Sequence, residues 1–132
     1  MRVLIVEDDF VSRKILHNIL SEYGECDIAV DGKEAVEAFR MALDAKIPYD
    51  LICMDIMMPH MNGQEALLQI RRIEADFGVR DIDAVKVIMT TAVDDKKHVT
   101  EAFYQGGAAS YFVKPINKKK FLGELKILGL ID

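Results

Sequence analysis

The chain has 132 residues, 51% of them apolar and 30% charged, with a formal net charge of −5. That length suits one domain over residues 1–132 with a core of its own, and the apolar fraction excludes a disordered chain. The acidic balance argues against a nucleic-acid or anionic-membrane surface, since the only basic run is Lys118-Lys119-Lys120.

No apolar stretch reaches the roughly 18 residues that span a bilayer, and no leader pattern opens the chain, so the expected setting is cytoplasmic. Cys26 and Cys53 lie in apolar runs without metal-ligand spacing and fit reduced thiols.

Short apolar runs alternate with longer helical patterns. Val3-Leu4-Ile5-Val6 is too short for a helix and is β-branched, so a buried strand is predicted. Over residues 11–20, Val11, Ile15, Leu16, Ile19 and Leu20 recur at helical spacing. Ile28-Ala29-Val30 predicts a second strand, and Ala35, Val36, Phe39, Ala42 and Leu43 an amphipathic helix ended before Pro48.

Leu51-Ile52-Cys53-Met54 predicts the third strand, and Asn62-Gly63 opens a third helix. Residues 85–89 predict the fourth strand. Asp94-Asp95 caps a fourth helix through Val99, Ala102 and Phe103, closed by Gly106-Gly107. Tyr111-Phe112-Val113 is the fifth strand, and Asn117 caps a fifth helix. Strands joined by helices run parallel with right-handed crossovers, which predicts an α/β fold: a five-stranded, doubly wound parallel sheet.

In such a sheet, ligands bind beyond the carboxyl ends of the strands. The residues that follow the apolar runs are Glu7-Asp8-Asp9, Asp55, Thr90-Thr91-Ala92 and Lys114-Pro115. Taken singly, an Asp there is a cap, a Thr a cap and a Lys a solvated charge. Together they place several carboxylates on one rim, an arrangement that costs stability unless a cation neutralises it.

Hard oxygen donors of this kind suit Mg2+, with Mn2+ as a substitute. A metal beside Asp55, flanked by the Thr91 hydroxyl and the Lys114 ammonium, is the set that phosphoryl transfer requires. Asp55 would be the nucleophile, forming an acyl phosphate, with small Ala92 leaving a path for the donor.

These segments, with Ile52-Cys53-Met54-Asp55-Ile56-Met57-Met58-Pro59-His60-Met61-Asn62-Gly63 and Tyr111-Phe112-Val113-Lys114-Pro115, resemble the receiver domain of two-component response regulators over essentially the whole chain. The resemblance implies a CheY-like, flavodoxin-like sheet with strand order 2-1-3-4-5 and five helices. It makes Asp55 the acceptor of a phosphoryl group from a histidine kinase phosphohistidine. It makes Asp8 a direct metal ligand, Glu7 a water-mediated one, and Met57 a ligand through its backbone carbonyl. It also implies a cis Lys114-Pro115 bond and a Tyr111 that changes rotamer when Thr91 is drawn to the phosphoryl group.

Asp9, just past the acidic pair, is expected to cap a helix. The stretch 74–84 is long for a helix-to-strand connection and is expected to extend the third helix or form a lobe. Met57 and Val93 lie beside the expected path of a hydrolytic water. His17, His60 and His98 share no spacing and fit surface or partly buried histidines.

The implied function is a stand-alone phosphorylation switch of a two-component or phosphorelay system, not an enzyme acting on an external metabolite. Expected partners are a sensor histidine kinase or histidine phosphotransfer protein and a downstream protein. That protein would be met on the face of the fourth helix, fifth strand and fifth helix, or the chain would dimerise on phosphorylation. The alternatives are a relay intermediate, a small Mg2+-dependent phosphatase with an Asp nucleophile, and a scaffold that is never phosphorylated.

Overall fold

Runs of β-branched and apolar residues in this chain are buried on both sides, which requires a sheet covered on both faces. In the computed structural model, which describes residues 1–92, 100 and 105–132, five strands meet that requirement. They are β1 (Arg2–Val6), β2 (Glu25–Ala29), β3 (Leu51–Asp55), β4 (Lys86–Thr91) and β5 (Ser110–Val113). All pairings are parallel, in the order β2-β1-β3-β4-β5.

The two-residue period of the strands divides the core. Leu4, Val6, Ile52, Met54, Val87 and Met89 face α2 (Gly32–Asp44) and α3 (Gly63–Asp76), packing on Phe39, Leu67 and Ile70. Val3, Ile5, Leu51, Cys53 and Ile88 face the other way. They pack on Leu16, Ile19 and Leu20 of α1 (Phe10–Leu20) and on Phe121 and Leu125 of α4 (Lys118–Ile127). Each fully buried side chain of this size contributes about 1.5–3 kcal/mol, so both layers are strongly held.

Each described helix begins on a side-chain cap. Asp9, Asp31, Asn62 and Asn117 accept from the backbone N–H groups of Ser12, Glu34, Glu65 and Lys120. Such a cap is worth about 1 kcal/mol.

Several boundaries differ from the sequence expectation. β2 begins at Glu25 and ends at Ala29, earlier than residues 28–30. It is an edge strand whose only fully buried side chain is Ala29, so its apolar run marks only its last turn of pleat. β4 extends through Thr90 and Thr91, whose polar side chains are nonetheless buried.

The long connection after α3 begins with an extension of the third helix, one of the two expectations. The helix continues to Asp76, Gly78 takes a left-handed φ of +73°, and a 3-10 turn follows at Asp81–Asp83. Of the expected fourth helix over 94–103, all but residue 100 lies outside the described residues, as does Val93.

Candidate functional site

Strand order reverses between β1 and β3, so their carboxyl ends open a crevice. Glu7 and Asp8 follow β1 directly, with the Glu7 N–H donating to the Ala29 carbonyl at 3.0 Å. Asp55 is the last residue of β3 and stands in register with Thr90. The next residue, Ile56, donates its N–H to the Thr90 carbonyl at 2.9 Å. Gly63 then returns the chain, donating to the Ile56 carbonyl at 2.8 Å. A Cβ on Gly63 would stand 2.2 Å from the Asp55 carbonyl oxygen, so only glycine lets α3 start this close.

On the other side, the Lys114 N–H donates to the Thr91 carbonyl at 2.7 Å, which ties the ends of β4 and β5. The Lys114-Pro115 bond is cis, as the resemblance implied. The Lys114 ammonium lies 3.3 Å from Asp55 Oδ2 and is ion-paired with Glu7 Oε1. Asp55 Oδ1 accepts the Met57 N–H at 3.3 Å. Thr91 is buried at the end of β4. Met57 is exposed, and Tyr111 sits half-exposed on edge strand β5, in register with Met89.

Glu7, Asp8 and Asp55 each offer a carboxylate oxygen, and these oxygens lie within 4.8 Å of one another. An octahedral Mg2+ with ligands at about 2.1 Å spans about 4.2 Å between opposite oxygens, so small side-chain adjustments suffice. The electrostatics point the same way. Glu7 is fully buried, and its Oε2 has no hydrogen-bond partner among the described residues.

Burial pushes the Glu7 carboxyl up to about 7, and the neighbouring Asp55 carboxylate adds to this, with Lys114 opposing. Burial also works to lower the Lys114 ammonium, but the Glu7 and Asp55 carboxylates outweigh it and hold it above its ordinary value. Glu7 and Asp55 share the Lys114 ammonium, Asp8 stands in the same carboxylate cluster, and buried Glu7 Oε2 has no hydrogen-bond partner among the described residues. That donor set fits a hard divalent cation.

The family model for the response regulator receiver domain matches residues 3–126. The chain belongs to the receiver domain family. Among relatives of this receiver domain, the chemotaxis protein CheY of Treponema pallidum is 37% identical over 123 residues, covering 92% of this chain and 77% of that protein. The hybrid signal transduction histidine kinase I of Dictyostelium discoideum is 37% identical over 119 residues. That match covers 89% of this chain but only 7% of the kinase, so here the receiver domain corresponds to a small part of a much longer protein. The receiver domain of the Arabidopsis thaliana histidine kinase CKI1, solved in complex with Mg2+ and BeF3−, superimposes with a TM-score of 0.75 at 28% identity. It covers 98% of this chain and 88% of that one.

The rim residues named from the sequence are brought together by the fold: Glu7, Asp8, Asp55 and Lys114 form one cluster, and Thr91 borders it through the backbone. Sequence reasoning missed two features. Thr90, in register with Asp55, buries a hydroxyl that has no hydrogen-bond partner among the described residues. His60 is exposed, as expected of a surface histidine, but its pairing with Asp31 at 2.9 Å was not expected. Nothing in the local pattern announces a contact between residues so far apart in the chain.

Proposed function

We propose that this receiver domain is a phosphorylation-dependent switch in which Asp55 takes a phosphoryl group from a phosphohistidine. The observation that carries the reading is the setting of Asp55. Its carboxylate is almost fully buried, faces Lys114 on one side, and shares an acidic cluster with Glu7 and Asp8 on the other. In transfer, a carboxylate oxygen of Asp55 attacks phosphorus, the N–P bond to the donor imidazole breaks, and that nitrogen recovers a proton from solvent.

Asp8 and Asp55, with the Met57 carbonyl and Glu7 through a water, would hold Mg2+, or Mn2+ in its place. A bound divalent ion neutralises charge on the phosphoryl oxygens. Lys114 would bind a second oxygen, and the Thr91 hydroxyl the third. Trifluoroberyllate is a phosphoryl-sized tetrahedral anion when carboxylate-bound, so its presence with Mg2+ on the CKI1 receiver domain supports the same chemistry here.

Movement of Thr91 toward the phosphoryl group would bias Tyr111 and, through β5 and α4, the surface offered to a downstream protein or to a second copy. The donor would be a sensor histidine kinase or a histidine phosphotransfer protein in the cytoplasm. Acetyl phosphate with Mg2+ tests the reading by intact mass. One phosphoryl group should be gained, and the gain should be lost with chelator or in Asp55→Asn. No gain would favour a scaffold, and steady turnover of a generic phosphate ester would favour a phosphatase.

A further inference from the structure

The loop between Asp55 and α3 carries Met57, whose carbonyl is proposed above as a metal ligand, and its tip is fastened to an element that the phosphoryl site does not otherwise use. His60 adopts a left-handed φ of +67°, a conformation disfavoured for residues with a Cβ. From there its Nδ1 lies 2.9 Å from Asp31 Oδ2. The other Asp31 oxygen accepts the Glu34 N–H at 2.8 Å and so caps α2. Asp31 is buried, although its partner His60 is exposed.

A second tie lies alongside. The Gly32 N–H donates to the Met61 carbonyl at 3.2 Å, and a Cβ on Gly32 would approach that oxygen to 2.5 Å. The loop is therefore held at both ends: by Ile56 and Gly63 at its base, and by the turn after β2 at its tip.

We propose that Asp31 and His60 are positioning residues, forming a clasp that holds the Met57 carbonyl where the divalent cation needs it. This rests on the metal role proposed above for Met57. The clasp acts through geometry: cutting it frees the loop tip to shift, and a ligand carbonyl displaced by a few tenths of an ångström weakens an ion that demands near-ideal octahedral geometry.

Mg2+ titration of the full chain, followed by amide NMR at a temperature where every variant is folded, tests the clasp. His60→Gly keeps the left-handed backbone and removes the tie. Asp31→Ser keeps an oxygen to cap α2 and removes the second oxygen that His60 uses. Each should weaken Mg2+ binding by about 3- to 10-fold, less than the roughly 10- to 100-fold of groups bonded directly to a ligand, and the double variant should be no weaker than either.

His60→Asn places an amide nitrogen where Nδ1 stands and tolerates positive φ, so it should restore binding to within about 2-fold of the parent. Loss of helix stability alone would not be rescued this way. Parent protein that binds Mg2+ while His60→Gly and Asp31→Ser bind equally well overturns the clasp alone. Parent protein that fails to bind Mg2+ overturns the metal reading and the clasp with it.

Discussion

Glu7 holds a carboxyl group where water does not reach it, and the direction of its pKa fixes how it acts on stability. Its folded-state value, about 7, lies above the ordinary 4.5. Its favourable contribution is therefore complete below about pH 4.5 and is lost as pH rises through about 7. In protein free of divalent ions, Glu7→Gln should match the parent Tm near pH 4 and exceed it by about 3–6 °C near pH 8, the effect of roughly 1 kcal/mol in a chain of this size. Mg2+ should close the gap at pH 8 by stabilising the parent. Thermal melts at the two pH values check this, and a gap independent of pH would contradict it. Glu7, Asp8, Asp55 and Lys114 were legible in the sequence because each follows an apolar run that a parallel sheet must bury. Asp31 with His60 was not, because that pairing depends on how two loops cross in space.

At the scale of elements, strands were legible where both faces are buried and less so where one is open. β1 and β3 appear as continuous apolar runs, whereas β2 alternates Glu25, Cys26 and Asp27 before any apolar stretch begins. The start of α3 was legible from Asn62-Gly63, but the reason for the glycine was not. It lies in the contact with the Asp55 carbonyl. Gly63→Ala should force the β3 end and α3 apart at a cost of about 1–3 kcal/mol in urea unfolding. Its effect on Asp55 phosphorylation should be larger than its fractional loss of folded protein, because the displaced backbone is that of Asp55 itself. Unchanged phosphorylation with unchanged stability would show that the helix start has more room than the geometry gives it.

Across the whole molecule, the strand order follows from parallel crossovers plus family likeness, and it places the site at the reversal between β1 and β3. The far end of the sheet was illegible. There Arg71 donates to the Val85, Gly106 and Gly107 carbonyls and pairs with buried Glu74, whose other oxygen accepts the Val85 N–H at 2.8 Å. The carboxylate and guanidinium look in the sequence like an ordinary exposed helix pair, yet they join α3 to the segments that lead into β4 and β5. Arg71→Ala should lower unfolding free energy by about 2–4 kcal/mol, since it leaves a buried carboxylate without its cation. A loss under about 1 kcal/mol would mark the pair as a surface one.

An acyl phosphate on Asp55 can be trapped chemically. Protein treated with acetyl phosphate and Mg2+, then reduced with borohydride, should yield homoserine at position 55 on peptide mapping, and none when Mg2+ is chelated. Homoserine at position 8 or 9 instead, or no conversion in protein that has gained a phosphoryl group, would contradict it.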